Sequence, residues 1–204
     1  ETEDRSAEAY LIRAIGDLAA GRLESILEEG GPDYARPSDR SGPGLAVDAL
    51  LRRLHAGVIE LSRELLSRPT KSAKTRVVSR ARKIFTEVIG LCIAPVDGVF
   101  DVDGVGAISV FPGPLHVAKL LFALSGDLGD ASLCRVPTPP GIDDDQWWGV
   151  VRRAASKRPY LWPNHRAALK KGYLTKGVSA AVSFPTGGGK STLAELKIAA
   201  SLLN

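Results

Sequence analysis

The run Phe184-Pro185-Thr186-Gly187-Gly188-Gly189-Lys190-Ser191-Thr192 combines the residue types that bind a polyphosphate. A triphosphate needs many donors close to its oxygens. Three successive glycines let the backbone approach without side chains in the way, and they permit the positive φ angles of a tight turn. Backbone N–H groups then face inward, and the start of a following helix adds partial positive charge. Lys190 would reach the β- and γ-phosphates as a point charge. Ser191 would offer a hydroxyl to the Mg²⁺ carried by the nucleotide, with Thr192 as the weaker candidate.

The elements needed to position these groups are legible on both sides. Residues 178–184 are small or apolar and β-compatible, which predicts a short buried strand. Leu193, Leu196, Ile198, Ala199, Leu202 and Leu203 recur at helical spacing, which predicts a helix from Ser191 to Leu203. Strand, glycine-rich turn and helix form the context that makes such a motif a phosphate site.

The general form of the motif is GxxxxGK followed by Ser or Thr, and its first Gly falls here on Phe184. With Pro185-Thr186 ahead of the glycines and Leu193-Ala194-Glu195-Leu196 after them, the run resembles motif I of superfamily 2 helicases (the DEAD/DEAH group), RecQ-like and Ski-type enzymes in particular. Tyr160-Leu161-Trp162-Pro163-Asn164-His165-Arg166-Ala167-Ala168-Leu169 resembles the segment upstream of that motif, usually Leu-x-Pro-x-Gln followed by a helix. In the family the Gln reads adenine through its amide, and a nearby aromatic packs on the base. His165 stands in the Gln slot. A neutral imidazole offers one donor and one acceptor, without the amide's geometry.

An ABC-type ATPase loop is the alternative, because Gly-Lys-Ser-Thr-Leu before an apolar helix occurs there too. That family has Gly at the Phe184 slot and often Asn or Ser at the Thr186 slot.

The helicase resemblance spans about residues 158–200. It implies ATP and Mg²⁺ as cofactors and ATP-driven movement on, or remodelling of, DNA or RNA. It assigns Thr186, Gly187, Gly188, Gly189, Lys190, Ser191, Thr192 and His165 to the nucleotide, with Lys190 as the catalytic residue and Ser191 as the route to the metal. A helicase with an unusual N-terminal domain would suit bacterial genome maintenance or phage defence.

The whole chain of 204 residues has an ordinary globular composition, 44% hydrophobic and 25% charged. No apolar run reaches the length of a membrane span, and the acidic start Glu1-Thr2-Glu3-Asp4-Arg5 is no signal peptide. Cys92 and Cys134 match no metal or redox spacing, and Cys92 reads as a buried thiol, so the expected setting is reducing and cytoplasmic. The net charge of +4 is unevenly spread. The first 67 residues are net acidic. Residues 146–194 hold no carboxylate but do hold Arg152, Arg153, Lys157, Arg158, Arg166, Lys170, Lys171, Lys176 and Lys190. Such a stretch attracts nucleic acid or nucleotide phosphates, or forms a solvated basic face.

In chain order, periodicity predicts a helix over 4–29 with a break near Gly21, a loop over 30–44, and a stronger helix over 45–67. His55 lies inside the second helix with no partner pattern and reads as a packed or surface residue. Arg68, Lys71, Lys74, Arg76, Arg80, Arg82 and Lys83 form a basic run that enters a third helix over 74–92. Two short strands are expected within 96–111, around acidic turns holding Asp97, Asp101 and Asp103. A further apolar helix is expected over 115–124, a loop over 125–145, and a helix capped by Asp143 to Asp145 that runs to about Ser156 with Trp147 and Trp148 in its first turns.

The resulting expectation is a mostly helical N-terminal domain over 1–155 with a small β-hairpin, followed over 156–204 by the opening of a RecA-like α/β ATPase lobe. One strand and one helix cannot bury their own faces. The chain also has no Met and ends shortly after Lys190, so the expected whole is a much larger protein and the chain alone is expected not to hydrolyse ATP. The expected partner is nucleic acid, with a protein partner for the N-terminal domain. A non-enzymatic docking module is the other function class left open.

Overall fold

The computed structural model describes residues 6–30, 42–69, 79–95, 107–185 and 188–203. Among these the chain is mostly helical, with one two-stranded antiparallel sheet. Its contacts divide into two compact units. One holds residues up to Glu64 together with 73–127, and the other holds 65–72 together with 128–204.

The first unit opens with α1 (Ala7–Ala20) and α2 (Leu23–Glu29). Ser6 caps α1 by accepting from the Ala9 N–H at 3.2 Å. Gly21, at φ 74°, ends it in the left-handed conformation that glycine adopts without a Cβ clash. The break expected near Gly21 is therefore a helix end, and α2 folds back onto α1. Leu11, Leu18, Leu23 and Ile26 are buried there.

The long helix α3 (Pro43–Leu66) carries Leu54, Val58 and Leu61 into the core and meets α4 (Arg80–Leu91) through Gly57. A Cβ built on Gly57 would lie 2.4 Å from Cε1 of Phe85, a side chain with no solvent exposure, so the two helices approach at a position only glycine fits. Glu64 then tethers the start of α4. Its carboxylate accepts from the Ser79 hydroxyl at 2.6 Å and from the Ala81 N–H at 3.2 Å. His55 is buried in α3 with the Tyr10 ring edge-on at 5.8 Å, which makes it the packed residue of the two options.

Of the two strands, the second lies within the expected span of 96–111 and the first lies just before it. Strand β1 is Ile93–Pro95 and β2 is Ala107–Ser109, paired Ile93 to Ser109, Ala94 to Ile108 and Pro95 to Ala107. Asp97, Asp101 and Asp103 lie outside the described residues, as do Lys71, Lys74 and Arg76 of the basic run.

Helix α5 runs from Pro112 to Ala131, past the expected end near residue 124. Residues 125–131 of the expected loop are thus helical, and arginines lie over their glycines. A Cβ on Gly126 would lie 3.0 Å from the Arg82 guanidinium, and one on Gly129 would lie 3.4 Å from that of Arg135. Arg82 also stacks at 4.1 Å over the Phe122 ring. It therefore packs within the unit rather than standing on an open basic face, whereas Arg80 and Lys83 are exposed.

In the second unit a 3-10 turn at Leu133–Arg135 replaces part of the expected loop. Backbone bonds from Leu133 N–H to the Pro159 carbonyl and from Leu161 N–H to the Ala131 carbonyl, both 2.7 Å, tie residues 131–133 to 159–161. Helix α6 (Asp144–Ala155) starts as expected, with the Asp143 carboxylate accepting from the Asp145 and Gln146 N–H groups at 2.9 and 3.0 Å. Trp147 is buried and donates its indole N–H to the Val136 carbonyl at 3.3 Å, while Trp148 is half-buried. Helices α7 (Pro163–Lys170) and α8 (Lys190–Leu202) follow, and α6 packs on α8. The longer run of this unit, residues 128–204, includes the 131–133 segment that bonds to 159–161.

The strand expected over 178–184 is absent. These residues form neither helix nor ladder and are mostly exposed. A strand exists only through a partner for its N–H and C=O groups, and the described residues place no other strand beside this one. The loop and its helix are thus present among the described residues, without a parallel sheet.

Candidate phosphate-binding site

Helix α7 supplies the floor of the site. Pro163 opens it, its fixed φ suiting the first helical position. Two residues on, the His165 ring turns back toward the helix start. Its Nδ1 accepts from the Trp162 N–H at 3.3 Å, which satisfies one of the donors that every helix start leaves over. The His165 N–H donates to Oδ1 of Asn164 at 2.9 Å. His165 retains only 1% of its surface exposed, so it is part of the unit's interior and not a surface residue of the first turn.

The outer edge of the ring faces the glycine-rich turn. His165 Nε2 lies 3.0 Å from the Gly188 carbonyl oxygen, and Asn164 Nδ2 donates to the same oxygen at 3.1 Å. Nδ1 is already an acceptor, so the hydrogen-bond network assigns the ring proton to Nε2, which donates. Gly189 follows at φ 75° and forms the N-cap of α8. A Cβ there would fall 2.4 Å from His165 Nε2, so the His165 ring occupies the space a side chain would need. Gly188 is also enclosed, because a Cβ on it would lie 3.0 Å from both the Phe184 Cβ and the Pro185 carbonyl oxygen.

Lys190 is exposed at the first position of α8, and its Nζ donates to the Phe184 carbonyl at 2.8 Å. The ammonium thus spans the turn from its helix side to its entry side. The Gly188 N–H donates to the Pro185 carbonyl at 3.0 Å. Ser191 is exposed in the first turn, where no acidic residue opposes the helix's positive end. The Thr192 hydroxyl is instead 3.3 Å from the Arg158 guanidinium, which also pairs with Glu195 at 3.4 Å. That places Ser191 ahead of Thr192 as a hydroxyl open to a ligand. Thr186 and Gly187 lie outside the described residues. The structure therefore brings Gly188, Gly189, Lys190, Ser191, Thr192 and His165 to one place.

Two residues that the motif did not single out also hold the region. Asn164 shares the Gly188 carbonyl with His165. Lys197 donates from α8 to the Thr175 carbonyl at 2.8 Å and lies 5.9 Å over the Tyr173 ring. Asn164 could have been found as the neighbour of the Gln slot, whereas Lys197 has no sequence signal. Next to the turn lies a pocket of about 340 Å³ lined by Asn164, Ala168, Tyr173, Val182 and Phe184 among others. The anchoring side of α8 is apolar, with Leu193, Leu196 and Ala200 buried.

No cluster of three or more His, Cys, Asp or Glu side chains able to hold a metal occurs among the described residues. No described helix is long and apolar enough to cross a membrane. Cys92 and Cys134 are both buried free thiols, and burial pushes the Cys134 thiol up to about 11. Comparison of the chain with protein-family models, with curated proteins and with solved structures finds no match.

Proposed function

We propose that residues 184–192 bind the phosphates of ATP, and that the chain contributes this site to an ATP-dependent nucleic-acid helicase or translocase. What carries the phosphate reading is the Gly188–Gly189 turn. It enters α8 through a left-handed glycine, it is braced from below by α7, and Lys190 projects across it. These are the parts of a cradle for a multiply charged oxyanion at a helix N-terminus. Ser191 would hold the Mg²⁺ that arrives with the nucleotide. The adjacent pocket has room for a nucleobase. The upstream resemblance and the carboxylate-free stretch over 146–194 favour a motor that works on DNA or RNA.

The test is ATP turnover by the natural polypeptide with and without DNA or RNA. Stimulation by nucleic acid, and loss of turnover in Lys190→Ala, are the expected results. Turnover unchanged by Lys190→Ala would remove the assignment.

A second reading concerns the first unit. Leu91, Ile108 and Val110 are 60%, 58% and 50% exposed around the small sheet, and they are apolar surface suited to a protein partner. Partner capture that survives deletion of residues 157–204 supports that role, and capture that needs those residues opposes it.

A further inference from the structure

We infer that Asn164 and His165 are positioning residues that aim a backbone N–H at the bound phosphates, rather than readers of the base. The inference rests on the phosphate-site reading above and names how that site is held ready.

The Gly188 carbonyl oxygen receives two donors from the same side, Nδ2 of Asn164 at 3.1 Å and Nε2 of His165 at 3.0 Å. Both come from the first turn of α7. The described residues contain no cis peptide bond, so the N–H of a peptide points opposite to its carbonyl. Holding the Gly188 carbonyl toward α7 therefore turns the Gly189 N–H away from α7. With glycine on both sides of this peptide, nothing intrinsic prevents it from rotating. A flip would turn the carbonyl oxygen, with its partial negative charge, toward the phosphates and turn the donor away. The two side chains supply the restraint that the glycines lack.

The His165 ring is also committed on its other edge, to the Trp162 N–H at 3.3 Å, and is buried, so it has no spare donor–acceptor pair for a base edge. A base reader would discriminate among nucleotides. A peptide-positioning pair should act on every polyphosphate alike, whether or not a base is attached.

The experiment titrates the full chain and its Asn164→Ala, His165→Ala and His165→Gln variants with Mg²⁺-ATP, Mg²⁺-GTP and inorganic tripolyphosphate. Circular dichroism and a thermal melt check folding. Affinity for all three ligands should fall together, by about tenfold in each alanine variant, with the ATP-to-GTP ratio unchanged. His165→Gln, which keeps an N–H donor, should recover part of the loss. Asn164 is only partly buried, so Asn164→Ala still decides the matter if His165→Ala fails to fold.

A changed ATP-to-GTP ratio with tripolyphosphate affinity untouched would overturn the inference in favour of base reading. Unchanged affinity for all three ligands would overturn it outright while leaving the phosphate site intact. If the unmodified chain binds none of the three, the phosphate-site reading fails and takes this inference with it.

Discussion

His165 Nε2 stands 3.0 Å from the Gly188 carbonyl oxygen, and in the same place it would stand 2.4 Å from any Cβ at position 189. One ring thus both holds the glycine-rich turn and excludes a side chain from it. The two residues are 23 positions apart, and the contact joins the start of α7 to the glycine-rich turn.

Gly189→Ala should therefore be costly on two counts. A left-handed φ costs a non-glycine residue about 1–2 kcal/mol, and the new methyl collides with the His165 ring. Thermal or urea unfolding should show at least that loss. Adding His165→Ala removes the collision, so the double variant should lose less than the sum of the two single losses. Simple additivity would show that the ring is not where the structure puts it.

At the α3–α4 crossing, Gly57→Ala improves helix propensity by up to about 1 kcal/mol but drives a methyl into fully buried Phe85. Overpacking of about 1–3 kcal/mol should win, giving a net loss of stability. A more stable Gly57→Ala variant would mean that the two helices do not approach this closely.

Burial lowers the pKa of His55 below its ordinary 6.5. The folded chain keeps the ring neutral while the unfolded chain takes up a proton. The stabilisation is complete above about pH 6.5 and is lost as pH falls through the lowered folded value. The urea midpoint should thus drop between pH 7.5 and pH 5, and His55→Gln should flatten that part of the drop.

For Cys134 the sign runs the other way with pH. Its thiol is raised from 9.0 to about 11 by burial, so this contribution is present below pH 9 and is lost as pH rises toward 11. At pH 8 the native protein should resist alkylation by iodoacetamide at both cysteines, and the urea-unfolded protein should react at both. Rapid modification of native Cys134 would contradict its burial.

Much of the fold could be read from local rules. The helices of the first unit followed their apolar stripes, and Gly21 and Asp143 ended and began helices as their chemistry requires. The misses share a cause in tertiary contact. Gly126 and Gly129 lie in a helix with arginines packed over them, and His165 is buried with its Nε2 against a carbonyl oxygen 23 residues away. The run over 178–184 has strand-forming residues but no neighbouring strand among the described residues, and residue preference alone makes no ladder. At the site, the loop and Lys190 were legible from spacing. The role of Asn164 was not, since it depends on which way one peptide faces.

The central claim is that the turn at Gly188–Gly189 and Lys190 receives phosphate. The most direct measurement is a titration of Mg²⁺-ATP and of tripolyphosphate into the ¹⁵N-labelled chain, following the backbone amides. Both ligands should produce saturable shifts centred on Gly188 to Thr192. They should compete with each other, and Lys190→Ala should weaken both by at least about tenfold. The account is contradicted if those amides do not respond to millimolar ligand, or if Lys190→Ala leaves the response unchanged.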